Sequence, residues 1–188
     1  LGCPVTAIRH SPNEVTVSYR QYRETKQISA DYLVCCMSAV MLRQIPVTPH
    51  FPEPKRWAIE NVAYYSATRP VFQSRTKFWR EQKKSVNIEF SKSTLAPCWS
   101  MADDVQTSRG LITGTAIPGV SADAALKPFR DFYPGGADTI ESASIIDWSK
   151  DPWSMACKTL GRKPGEVGKF WPVLAEPQGR IHFAGAYC

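Results

Sequence analysis

Four prolines, Pro46, Pro49, Pro52 and Pro54, crowd nine consecutive positions. Each fixes its own φ and lacks an amide donor, so neither helix nor strand runs through the stretch. The chain there is a crossing loop and a candidate domain boundary. Composition bounds what can lie on either side. With 43% apolar and 11% aromatic residues, this 188-residue chain has too much apolar surface to stay disordered. No apolar run approaches the roughly 18 residues of a membrane-spanning helix. There is no glycine-every-third repeat and no heptad pattern. The length suits one domain or one and a half. The chain starts at Leu1 and stops at Cys188, directly after a strand-like run, so both ends read as cut.

Before the prolines, Val15-Thr16-Val17-Ser18-Tyr19 alternates apolar and polar residues, as a half-buried strand does. A polar turn is expected from Arg23 to Gln27. The run from Ile28 to Cys36 then ends in a strand covered on both faces, with Cys35 and Cys36 pointing opposite ways. Ser38 is placed to cap a short helix over Ala39–Leu42. After the prolines, a helix is expected over residues 55–62. A strand over 68–76 contains Pro70 and is therefore expected at a sheet edge or bulge. Further strands are expected at 86–90, 98–101, 110–116, 142–148 and 180–183. Ser121 opens a helix that Tyr133-Pro134-Gly135-Gly136 closes. The order predicts an α+β fold, a mixed sheet with flanking helices.

The net charge of +6 is uneven: residues 1–94 carry 14 Lys and Arg against 7 Asp and Glu, and residues 95–188 carry 9 against 10. The densest basic stretch, 75–84, interleaves cations with Phe78 and Trp79. That mix suits stacking and phosphate contacts of a nucleic-acid-binding module. The plainer reading, which we favour, is a solvated turn between strands with Phe78 and Trp79 facing inward. The six cysteines have no CxxC spacing and no histidine at a ligand interval, so no metal site is expected. They read as small buried hydrophobes and suit a reducing compartment such as the cytoplasm. No GxGxxG, GxSxG, HExxH or Walker loop occurs.

Five segments, in order, resemble one family. They are Pro4-Val5-Thr6-Ala7-Ile8 with Val15-Thr16-Val17, Ala30 to Cys36, Ala67-Thr68-Arg69 leading to Lys77-Phe78-Trp79, Asp147 to Ser154, and Gly179-Arg180-Ile181-His182-Phe183-Ala184-Gly185. Together they resemble the middle and C-terminal part of a flavin-dependent amine oxidase, the group of the monoamine, polyamine and L-amino acid oxidases. The resemblance implies a fragment or one subunit of such an enzyme, inactive alone and completed by the remaining segments. It implies three parts. Residues 1–50 belong to a Rossmann-like FAD-binding domain, 51–147 form the substrate-binding domain, and 148–188 return to the FAD domain.

The implied activity is oxidative deamination of an amine or L-amino acid, with hydride transfer to flavin N5 and re-oxidation by O2 to hydrogen peroxide. The implied assembly is a homo-oligomer without nucleic acid. Val5 stands where the family holds the adenine through backbone. Arg69 occupies the place of a lysine linked through water to N5, and it can order a water or stabilise negative charge but not act as a base. Trp148 and Trp153 match aromatics beside the flavin ring. Gly185 and Ala186 match the segment on the ribityl and pyrophosphate portion. Cys157 lies near a cysteine that forms a thioether in some members. Its neighbours differ from theirs, so non-covalent FAD is expected. Substrate-binding residues are not assigned. A related desaturase-type flavoprotein is the alternative within flavin chemistry.

Overall fold

The computed structural model describes residues 1–91, 93–159 and 163–188. The chain divides into two units, one formed by residues 1–65 and 152–188, the other by residues 66–151.

The first unit begins with a hairpin. Strands β1 (Val5–His10) and β2 (Val15–Gln21) pair antiparallel around the Pro12-Asn13 turn. The expected polar turn at 23–27 is instead strand: β3 (Glu24–Ala30) pairs with β2 along its whole length. The reversal is tighter, with Tyr22 at φ 56°. As the outermost strand β3 is exposed throughout, so its sequence shows no alternation to read. Polar cross-strand pairs hold it, among them Thr16 Oγ1 with Ser29 Oγ at 2.9 Å.

Strand β4 (Leu33–Cys35) follows. Cys35 is buried and Cys36 exposed, on opposite faces as alternation requires, but Val34 is also exposed, so the strand is not covered on both faces. Ser38 sits at the N-cap of α1 (Ala39–Leu42), yet its hydroxyl makes no capping bond. The Ala39 amide donates to Tyr64 Oη at 2.9 Å instead, which local sequence cannot reveal.

Within the proline stretch, β5 (Val47–Thr48) pairs parallel to β1 at Ile8 and Arg9. Pro52 then stands before α2 (Glu53–Asn61), with Pro54 in its first turn, where a missing amide costs nothing. Strand β6 (Tyr64–Tyr65) ends this part.

The second unit is a five-stranded sheet with one long helix. It comprises β7 (Thr68–Ser74), α3 (Phe78–Glu81), β8 (Ile88–Glu89), β9 (Leu95–Ser100), β10 (Gly110–Ala116), α4 (Ala122–Phe132) and β11 (Ile140–Asp147). The sheet order is β11-β7-β10-β9-β8, and every neighbour described is antiparallel. Pro70 therefore lies inside the sheet and not at an edge. Losing one ladder bond costs only about 1 kcal/mol, which burial of β7 between two neighbours outweighs.

Along β7 burial alternates strictly: Thr68, Pro70, Phe72 and Ser74 face the core, and Arg69, Val71 and Gln73 face the other way. The core face meets α4, whose cap is as expected: Ser121 Oγ accepts from the Ala124 amide at 3.2 Å. Phe72, Ile112, Leu95, Phe129 and Tyr133 are fully buried together, with Phe72 and Phe129 edge to face at 5.6 Å.

The basic stretch 75–84 forms the one-turn helix α3, with Phe78 and Trp79 buried as anticipated. Its cations serve backbone carbonyls. Lys77 Nζ donates to Asp103 O and Val105 O, and Arg80 Nη2 to Asp103 O. Lys84 Nζ donates to Phe132 O at the end of α4.

The chain returns to the first unit at Pro152. There β12 (Lys158–Thr159) pairs with β6, and α5 (Val167–Phe170) precedes β13 (Ile181–Phe183), which pairs parallel to β4. Lys55 ties α2 to the segment after α5. Its buried ammonium donates to Val173 O, Leu174 O and Glu176 O at 2.7–2.8 Å and lies 3.6 Å from the centre of the Phe183 ring. The fold is α+β, as predicted.

Candidate functional site

In the first unit the site is built where a parallel strand pair ends. Strands β4 and β13 run side by side, with Phe183 opposite Cys35, and Ala184 N donates to Cys35 O at 3.0 Å. Ligands in α/β sheets settle outside the carboxyl ends of such strands. Just beyond that end, Gly185 takes φ 133°, a conformation that a residue with a Cβ rarely adopts. Its missing Cβ would lie 4.0 Å from Cys36 O. Gly185 and Ala186 are both exposed there.

Cys36 in turn lines a cavity of about 440 Å3 shared by Val5, Ser38, Met41, Trp153 and Cys157. Three chain segments far apart in sequence thus converge, and they include Val5, Trp153 and Cys157, all singled out above. Strand β5 pairs with β1 only at Ile8 and Arg9, so on that side Val5 has no strand neighbour among the described residues. Trp153 is 63% exposed, a large flat ring at an open mouth.

An apolar cavity with a few backbone and hydroxyl groups suits a flat heteroaromatic ring with polar edges. The open backbone of β1 and the glycine turn suit the polar parts of a dinucleotide. These residues fit a flavin. Among the described residues no group of three His, Cys, Asp or Glu side chains is placed to hold a metal ion.

Arg69 and Trp148 lie in the second unit. The register sets Ile146 against Arg69 and Asp147 against Thr68, and Trp148 follows at once. A 3-10 turn over Trp148–Lys150 carries the tryptophan, and Asp147 caps it by accepting from Ser149 N at 3.1 Å and Ser149 Oγ at 2.6 Å. The Ser149 hydroxyl is the main cause holding the Asp147 carboxyl below the usual range, and Lys150 adds to it. Trp148 is 39% exposed.

Arg69 is braced. Its Nη1 donates to Thr115 Oγ1 at 2.8 Å, and its guanidinium lies 5.3 Å from the centre of the Trp99 ring. The open face of the sheet therefore presents a fixed cation beside a hydroxyl and an aromatic ring. Thr115 and Trp99 escape sequence reading, because only the pairing register brings them to Arg69.

The model of the flavin-containing amine oxidoreductases matches residues 1–188. The chain belongs to that family. As an amine oxidoreductase it resembles the L-amino-acid oxidase of Vipera ammodytes ammodytes, 30% identical over 97% of this chain and 41% of the relative. The L-amino-acid oxidase of Naja atra is 27% identical over 100% of this chain and 39% of its own length. The chain thus spans about two fifths of the curated relatives it matches. Among solved structures, cyclohexylamine oxidase from Brevibacterium oxydans superposes with a TM-score of 0.84 at 19% identity, over 98% of this chain and 42% of that one. Putrescine oxidase bound to putrescine gives 0.84 at 15% identity, over 97% and 42%. These two likenesses concern the fold. The family match implies a flavin cofactor.

Proposed function

We propose that the protein carrying this chain is an FAD-dependent oxidase that deaminates an L-amino acid or amine. The single observation that supports this most is the convergence of Val5, Trp153 and Cys157 on one cavity beside the Gly185 turn, in a chain whose whole length matches the amine oxidoreductase family. The curated relatives are named L-amino-acid oxidases, which favours the amino acid over a simple amine. On this reading residues 1–50 and 148–188 belong to the FAD domain and 51–147 to the substrate domain; the two compact units follow this division except at residues 51–65 and 148–151.

FAD, when bound, supplies acceptance of the substrate's α-hydrogen with its electron pair and their delivery to O2 as hydrogen peroxide. The rest falls to the protein. The Val5 backbone holds the adenine edge, and Gly185 and Ala186 admit the ribityl and pyrophosphate portion through close backbone approach. Trp148 and Trp153 would each give the ring apolar contact and help exclude water. Arg69, always protonated and braced by Thr115, orders a water or stabilises negative charge. It does not take the substrate's proton. FAD is held non-covalently, and Cys157 keeps its thiol. The enzyme works as a homo-oligomer.

Oxygen uptake by the full-length protein tests the reading. L-amino acids or amines should drive uptake with one hydrogen peroxide formed per oxygen consumed. Acid precipitation should leave the protein colourless and FAD in the supernatant. Uptake without peroxide, or flavin retained on the pellet, contradicts the corresponding part.

A further inference from the structure

A second cavity, of about 280 Å3, opens in the first unit between the α1–β5 connection and α2. It shares only Ile45 with the Val5–Trp153 cavity, so it is a separate place. Its walls are apolar, formed by Leu42, Ile45, Val47, Phe51 and Ile59. Three basic side chains, Arg43, His50 and Arg56, stand around it with a single acid, Glu60.

The three bases are held differently. Arg43 is fixed, donating from Nε to Ile59 O at 2.8 Å and from Nη2 to Val62 O at 2.5 Å, which also satisfies carbonyls at the end of α2. The side chains of Arg56 and His50 make no hydrogen bond and no ion pair among the described residues. Glu60 lies one helical turn after Arg56 on the same wall of the cavity and does not pair with it. Arg43 and Arg56, both exposed, thus line the rim of one apolar hollow with a single acid, Glu60, between them and neutrality. An anion bound there accepts N–H groups that these side chains leave unused.

We propose that this cavity binds a small monocarboxylate with a branched aliphatic body, its carboxylate held by Arg56, His50 and Arg43 and its body against Ile45, Phe51 and Ile59. The walls decide for an organic ligand over inorganic phosphate, since a bare anion leaves the apolar surface wet. Glu60 decides for a single negative charge over a double one. The site is independent of the flavin reading, because none of Arg43, His50 and Arg56 belongs to the machinery assigned above.

Titration calorimetry on the full-length protein tests it, with 4-methylpentanoate as probe and the neutral 4-methylpentanamide as control. The carboxylate should bind and the amide should bind at least about tenfold more weakly. An Arg56→Gln/His50→Gln variant should lose at least about tenfold in affinity for the carboxylate while keeping its oxidase turnover. Arg43 is left in place because it anchors α2. No heat with the carboxylate, equal affinity for the amide, or unchanged affinity in the double variant each overturns the proposal. The last result marks binding elsewhere, the flavin-side cavity included.

Discussion

Arg69 and Thr115 face each other across the β7–β10 pair, with Nη1 of the arginine 2.8 Å from the threonine hydroxyl. The bond fixes one arm of a guanidinium on the open face of the sheet, and the Trp99 ring supports it. A hydrogen bond to a charged group is worth about 1.5–3 kcal/mol, and each 1.36 kcal/mol is a factor of ten in rate. An Arg69→Met variant should therefore lose on the order of tenfold to a hundredfold in flavin reduction or in re-oxidation, measured by stopped-flow absorbance. Thr115→Val should lose less in the same half-reaction, since the cation remains but its aim loosens. If both half-reactions keep wild-type rates in Arg69→Met, the role given to Arg69 is wrong.

Lys55 is the buried cation of the first unit. Its three donors meet the carbonyls of Val173, Leu174 and Glu176, so Lys55→Met strands three acceptors. Each unsatisfied buried group costs about 1–3 kcal/mol, and we expect a loss of about 3 kcal/mol or more in urea unfolding. Burial also draws the ammonium down to about 8. The folded chain then releases this proton before the unfolded chain does. The Lys55 share of stability therefore grows as pH rises from about 8 to 10.5, and the methionine variant should lack that rise. An unchanged urea midpoint would contradict this account of Lys55.

Much of this was legible before any coordinates. Alternation gives β2, the strand expected at 110–116 is β10, Ser121 marks the start of α4, and Phe78 and Trp79 face inward. What escaped was set by distant partners. The exposed β3 has no apolar face to show a period of two, so a strand read as a turn. Pro70 looked like an edge residue because one missing amide is visible in sequence, whereas the two strands that flank β7 are not. Ser38 lost its capping role to Tyr64, 26 residues on. In the candidate site, motif order names Val5 and Trp153, whereas the cavity wall of Cys36, Ser38 and Met41 that they share depends on tertiary approach.

Gly110 lies where a Cβ would come within 2.3 Å of Trp79 Cη2 and 2.6 Å of Ser74 Oγ. Trp79 is buried and cannot swing aside. Gly110→Ala should destabilise the second unit by about 1–3 kcal/mol, as overpacking does. Thermal unfolding measures this, and a variant as stable as wild type would show that Trp79 is loosely seated.

Burial pushes the Cys98 thiol up to about 12. Between pH 9 and 12 the folded chain keeps a proton that the unfolded chain has lost, so the Cys98 share of stability falls as pH rises through that window. In Cys98→Ala the decline should be shallower by up to about 1.4 kcal/mol per pH unit. Urea midpoints at a series of alkaline pH values measure the slope. Parallel slopes in variant and wild type would place Cys98 outside the core.

The most direct test of the central claim is the visible absorption spectrum of the full-length protein during anaerobic addition of a panel of L-amino acids and amines. We predict a yellow protein whose flavin bands bleach with at least one of them and return when oxygen is admitted. A colourless protein, or flavin bands that no amino acid or amine bleaches, would contradict it.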